Sequence, residues 1–528
     1  VNYRRFILIL LAFACLPWLS CRSSRSQQNE ISAFIDRYEK KAAYMHREIE
    51  CSLWDYYTRG QSDSLDYFSG LKRIANPTLD DLQEIRKREA GLGDTKEHRQ
   101  LQIIYSECLQ EALDNTPEII RLLAFLGGAA GEFQPVFEGR RMTNDSLEKL
   151  LVADPDSNRR RDAYLASVAV GGVLADGIAS LAKLRNQAAV RAGYANYHEA
   201  MLAGAGLGKS EFQEILGELD KLSAELYRKS LDSFKSLANI GEFHEWDAPY
   251  GFHEISNQFT DDANTGTRTR LLEATLAGMG FKLKALPIYY DSAMGPGGDG
   301  APSFYPVHFP GDIRLLIGRS GRWLTLEQLF GLTGRALYAT QIDQRDYLLA
   351  RPSSPCLEVA ADAFFGSLVG SDAWLRKYAA LPDPQVLEMT SLQEFHRLYE
   401  IRLLMLKASF EYALYQNPAA DLNQVYRDLS QKYLFFSPPP EIYPWAADPD
   451  YILSPGHKAD DLFGTCIAAQ LYQFLIKKYG NVLDNQRTRD FLTQNIFRPG
   501  ARDDWHDLLS RATGEKLRPA YYFMATDD

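Results

Sequence analysis

The chain has 528 residues, 45 % of them hydrophobic, which is enough apolar material for a substantial core in one large domain or two to three ordinary ones. Against 58 basic residues stand 69 acidic ones, a net charge of −11, and no basic run is long enough to follow a phosphate backbone. Nucleic-acid binding is therefore not expected.

Residues 1–20 read as an export signal: Arg4 and Arg5, then the apolar run Phe6 to Ala14, then Leu16-Pro17-Trp18-Leu19-Ser20 ahead of Cys21. A small residue before a cysteine resembles the bacterial lipoprotein cleavage site, although Trp18 and Leu19 depart from its usual form. The expectation is a mature chain lipidated at Cys21 and held to a membrane of the cell envelope, facing the periplasm or the cell surface. Ordinary secretion and an uncleaved anchor are the alternatives. Residues 22–29 (RSSRSQQN) then form a polar tether.

The rest, 30–528, reads as one helical domain with an N-terminal lobe (30–240) and a second lobe (241–528). From Glu30 to about Ala238 apolar residues recur at helical spacing, as in Ile31, Phe34, Ile35 and Tyr38. Strand-like material is confined to Phe304–His308 and Asp312–Gly318, after a glycine-rich loop. Thr325 to Ile342 reads as a buried helix opened by a Thr325/Gln328 capping box. Ser354 and Pro355 supply a cap and a first-turn proline for a helix over Cys356–Val369, which sets Glu358 and Asp362 one turn apart on one face. Another long apolar helix spans Asp461–Tyr479. Cys51, Cys108, Cys356 and Cys466 follow no zinc or redox spacing and are expected as buried thiols, with disulfides as the alternative.

Two patterns invite chemistry and fail on context. Ala203-Gly204-Ala205-Gly206-Leu207-Gly208-Lys209-Ser210 satisfies a loose phosphate-loop expression, but a helix precedes it where a strand is required, and Ser210 with Gln213 reads as the next helix cap. The pairs His198-Glu199, His244-Glu245 and His253-Glu254 lack the second histidine, four residues on, of a zinc helix. His244, His253 and Asp247 could gather a metal in a loop, though solvated or hydrogen-bonded side chains are the plainer expectation.

Four short stretches, in order, carry a family resemblance over most of the chain. They are Arg185-Asn186-Gln187-Ala188-Ala189 with Gly193-Tyr194, Pro310-Gly311-Asp312-Ile313-Arg314, Ser354-Pro355-Cys356-Leu357-Glu358-Val359-Ala360 with Phe364-Phe365-Gly366, and Ala468-Ala469-Gln470-Leu471. The chain resembles the angiotensin-converting-enzyme (peptidyl-dipeptidase A) family of gluzincin metallopeptidases. The resemblance implies an all-α, zincin-like fold of two lobes around a deep central cleft, with a minor β element near 304–318.

Carried over residue by residue, the resemblance implies a lost metal site. The first zinc ligand falls on Gly331, the general base on Leu332 and the second ligand on Arg335, while Glu358 matches the third ligand and Asp362 the supporting acid. The family's two oxyanion-binding tyrosines fall on Lys458 and Asp461, and its substrate-holding histidine near Ala301. A guanidinium never gives up its charge and cannot ligate a metal. Arg335 is thus expected to pair with Glu358, and zinc to be absent.

The expected protein is a catalytically inactive homologue whose cleft binds a peptide or a protein partner. The alternatives are an active metallopeptidase with an atypical ligand set, a scaffold that uses its outer surface, and a new hydrolytic site built from His457, Lys458, Asp460 and Asp461. Restoring Gly331→His, Leu332→Glu and Arg335→His is expected to recover metal uptake if the surrounding pocket is intact.

Overall fold

Helical spacing in the sequence is answered by helices along the whole computed structural model, which describes residues 3–257, 265–292, 302–317 and 323–524. Side chains 3–27, 73–74, 254–257, 265 and 323–325 fall outside that description, and with them the side chains of Cys21 and Thr325. Ala301 also lies outside the described residues. The first helix, Tyr3–Arg59, includes residues 22–29, read above as a tether.

Capping chemistry sets many of the boundaries. Thr95 accepts from the His98 amide to open Lys96–Asp114, and Thr116 with Pro117 opens Pro117–Glu132. Ser354 accepts from the Cys356 amide at the head of Pro355–Gly366, as its Ser-Pro pair foretold, and that helix ends three residues earlier than expected. The longest interior helix, Asp383–Gln416, buries residues from Val386 to Tyr415. A single apolar cluster runs from Ile31 to Tyr522, so both lobes share one core.

The β element is a three-stranded sheet in the order Ile288–Asp291, Asp312–Leu316, Ser303–His308. The first pair is parallel, and the second antiparallel with a register shift between Tyr305 and His308. The sequence reading missed Ile288–Asp291 and the two-residue antiparallel pair Val136–Phe137 and Arg140–Arg141, runs too short for a period to be legible. The first helix closes over this sheet. Trp54 meets Tyr305 edge-on at 5.5 Å, and the His46 ring contacts the Pro306 carbonyl at 2.7 Å.

The Arg185-Asn186 stretch ties the lobes together. Arg185 is 1 % exposed and grips Asp114 with Nε at 3.0 Å and Nη2 at 2.7 Å, while donating to the Tyr451 and Ile452 carbonyls at 3.1 and 2.8 Å. Asn186 donates to the Tyr415 carbonyl and accepts from the Tyr197 amide. One arginine and one asparagine thus satisfy four backbone groups in three separate segments.

The phosphate-loop lookalike is a helix–turn–helix joint, between Tyr197–Gly204 and Lys209–Leu237. Lys209 spends its charge on Glu199 at 2.8 Å. The cap of the second helix is Gly208, two residues ahead of the expected Ser210. Cys51, Cys108, Cys356 and Cys466 are all unbridged, and the last three are buried.

Candidate functional site

Glycine brings two helices into backbone contact at the site. Trp323–Gln341 lies against Pro355–Gly366, and a Cβ added at Gly334 would come within 2.5 Å of the Ala361 carbonyl oxygen and of the Phe365 ring. A Cβ at Gly331 would fall 2.0 Å from Asp362 Oδ1 and 3.1 Å from the Asp362 carbonyl oxygen. On its other flank Pro355–Gly366 meets the late helix His457–Tyr479, where a Cβ at Gly464 would lie 2.5 Å from Val359 Cβ. The helix bearing Glu358 and Asp362 is therefore clamped on both sides by glycine contacts.

This geometry bears on the restoration expected above. The space a residue-331 side chain needs is occupied by the Asp362 carboxylate, so Gly331→His requires that side chain to turn aside.

Arg335 meets Glu358 as expected, with Nη2 3.2 Å from Oε2, and its Nη1 stands 4.0 Å from Asp362 Oδ2. The guanidinium also sits 5.5 Å from the centre of the Phe304 ring. The pair is only partly buried, the two side chains being 29 % and 33 % exposed. Its net worth is correspondingly about 1 kcal/mol or less rather than that of a buried pair. Burial pushes the Asp362 carboxyl up to about 6, with Arg335 opposing and Asp461 reinforcing the rise. Leu332 is partly buried against the core and offers no donor.

At the start of the late helix, Lys458 is buried and directed at Asp450 and Asp448, the latter at 3.5 Å. Burial works against its charge, but these two carboxylates outweigh it and hold the ammonium above its ordinary value. His457 Nδ1 lies 3.4 Å from Asp460 Oδ2, and the Cys356 thiol donates to Asp460 Oδ1 at 3.4 Å. The order is thiol, carboxylate, imidazole, whereas nucleophile activation needs the imidazole in the middle. Burial also holds the Cys356 thiol well above its ordinary value, and burial raises Asp461 too. With Lys458 committed elsewhere, the four residues do not form a hydrolytic constellation.

A cleft of about 740 Å³ opens beside Glu358, His457 and Asp460. Its far wall is the Lys96–Asp114 helix, and the glycine-rich turn at 203–206 forms part of its rim. Two arginines that the sequence reading did not single out dominate it. Arg351 pairs with Glu107 and stacks 4.4 Å from the Tyr347 ring centre, and burial pushes its guanidinium down to about 10. Arg99 donates to the carbonyls of Ala501 at 2.8 Å and Ser353 at 3.4 Å. Glu411 was also missed. It is 1 % exposed, accepts from the Gly456 amide at 2.8 Å, and is pushed up to about 7 by burial. Such residues carry no spacing signal, because their hydrogen-bond and ion-pair partners lie from 45 to about 400 positions away.

His244 and Asp247 take structural roles. Asp247 is fully buried and engages Arg160 at 2.6 Å and His244 Nδ1 at 3.4 Å, while the His244 ring stacks on Trp246 at 4.4 Å. His198 is buried against Phe212 and Tyr412, and burial lowers it to about 4. Among the described residues no group of three or more His, Cys, Asp or Glu side chains converges as a metal site.

A peptidase zinc ion needs three protein donors and an open position for water. At the positions the resemblance assigns, Glu358 is one donor, Gly331 is none, and Arg335 contributes a fixed positive charge. The residues present do not fit that ion.

No protein-family model matches the sequence, and no curated protein matches it either. Solved structures do match. A Pyrococcus furiosus carboxypeptidase in its apo-Mg form superposes with a TM-score of 0.66 at 17 % identity, over 93 % of this chain and 97 % of that one. Trypanosoma cruzi metallocarboxypeptidase 1 gives 0.65 at 15 % identity, over 93 % and 98 %. The M32 carboxypeptidase from Deinococcus radiodurans R1 gives 0.63 at 13 % identity, over 94 % and 97 %. The likeness is to carboxypeptidases, where the sequence stretches resembled peptidyl-dipeptidases. Over nearly its full length, the chain has the all-α fold of the metallocarboxypeptidases.

Proposed function

We propose that this protein is a non-catalytic relative of the peptidyl-dipeptidase A enzymes, anchored in the bacterial cell envelope through a lipid on Cys21, whose cleft binds peptide or a protein segment. The observation that carries the reading is the Arg335–Glu358 contact at 3.2 Å, because a guanidinium supplies the positive charge that a metal would otherwise bring to that carboxylate. The absence of zinc, the periplasmic or surface location and the bound peptide all belong to this proposal.

The cleft supports the binding half of the reading. Its wall mixes Arg99 and Arg351 with Glu89, Glu107 and Glu111, a lining suited to the dipoles and termini of an extended peptide. Elemental analysis of purified protein supplied with zinc is expected to find none in stoichiometric amount, and peptides are expected to survive incubation intact. A fluorescent peptide that binds should lose about tenfold or more in affinity on Arg99→Ala. Stoichiometric zinc together with cleavage would overturn the proposal.

The active metallopeptidase remains the second reading, favoured by the fold shared with the carboxypeptidases. It requires Glu358 to leave Arg335 and join donors from elsewhere. Under that reading Arg335→Ala raises zinc affinity and activity together, whereas the non-catalytic reading expects neither.

A further inference from the structure

A second cavity, of about 480 Å³, lies where the helices Asn144–Ala153, Ser157–Val168 and Ala248–Asn257 meet Asp383–Gln416. It shares no lining residue with the cleft. Its walls are aromatic and apolar, formed by Trp246, Phe252, Tyr399 and Leu392. Tyr164 and Trp246 tilt against each other at 5.8 Å, and Phe252 stands perpendicular to the His396 ring at 4.7 Å, so these faces are fixed by packing.

The charge in this cavity is one-sided. Three carboxylates line it, Glu148, Glu245 and Glu400, with two imidazoles, His253 and His396; among the described residues no lysine or arginine does. His396 Nε2 is 3.8 Å from Glu400 Oε1. The Tyr164 hydroxyl donates to Glu245 Oε2. Lys407, the cation whose field reaches Glu245, is held by Asp448 at 3.0 Å. Burial raises the Glu245 pKa, and the Tyr164 hydrogen bond and the field of Lys407 oppose the rise.

We propose that this cavity is a separate binding site for a small organic ammonium ion with an apolar or aromatic body, its charge set on Glu245 and its body against Trp246, Phe252 and Tyr399. The volume is that of a small-molecule site, and aromatic faces beside a carboxylate are the arrangement that attracts a desolvated organic cation. A carboxylate ligand of the same shape brings an acceptor against Glu245 where a donor is needed and is disfavoured.

Calorimetric titration of the full chain with phenethylammonium, 2-phenylethanol and phenylacetate tests this. The ammonium is expected to bind at least about tenfold tighter than the alcohol, with phenylacetate weakest. Glu245→Gln should lower ammonium affinity about tenfold, and Leu392→Trp, which fills the cavity, should abolish it. Absence of ammonium binding, equal binding of phenylacetate, or an unchanged Glu245→Gln variant would each overturn the proposal. If Glu245→Gln fails to fold, the ranking of the three probes on the unaltered chain decides.

Discussion

Two arginine–carboxylate pairs in this molecule do opposite work. Arg185 holds Asp114 with two nitrogens, spends its other donors on backbone carbonyls, and is 1 % exposed. Arg335 holds Glu358 through one contact of 3.2 Å, reaches Asp362 only at 4.0 Å, and leaves its Nε buried without a partner. The first is a joint that fixes the lobes. The second is a charge lodged between two carboxylates at the edge of a cleft, where removing it changes the electrostatics more than the fold. Hydrogen-bond satisfaction, not the presence of an ion pair, separates a structural arginine from one that tunes a site.

That contrast can be broken at several points. Arg185→Met should have the largest effect, about 3–5 kcal/mol lost in denaturant unfolding, because Asp114 and two carbonyls are stranded. A loss below 1 kcal/mol would mean the joint is not where the lobes are held. Gly331→Ala should cost about 1–3 kcal/mol by overpacking, with part recovered in the Gly331→Ala/Asp362→Gly double variant. For the same reason zinc uptake by the Gly331→His/Leu332→Glu/Arg335→His variant should rise when Asp362→Gly is added, a point that equilibrium dialysis checks directly. Arg335→Met should cost only about 0.5–1 kcal/mol, since its pair is a third exposed to water.

The smallest effect concerns pH. Loss of solvation between the packed helices pushes the folded Asp362 carboxyl up to about 6, above its ordinary 3.8. Below that ordinary value it is protonated in both states and its contribution is fully present. As pH rises towards 6 the unfolded chain releases the proton first, so stability is lost across that window and stays lost above it. Asp362→Asn should flatten this part of a stability–pH curve, and an unchanged slope would remove Asp362 as its source.

Local periodicity and capping made the helices legible. The Ser354-Pro355 start of the Glu358 helix and the helical character of 30–238 needed nothing beyond neighbouring residues, and the strands at 303–308 and 312–316 were also visible. Ile288–Asp291 was not, because its pairing with Asp312–Leu316 depends on a segment more than twenty residues away. In the site, the pairing of Arg335 with Glu358 was expected from the resemblance, and the two side chains do meet.

By itself, then, the sequence determined the all-helical fold, the i, i+4 placement of Glu358 and Asp362, and the charge that faces them, since each depends on residue type and short spacing. Only the tertiary structure decided that the Asp362 carboxylate occupies the space beside Gly331, that Lys458 turns towards Asp448 and Asp450, and that Arg99 and Arg351 line the cleft. Those are facts about how closely helices approach and which distant groups they bring into range. Close packing fixes them to within an ångström, and no pattern along a single chain encodes a distance across it.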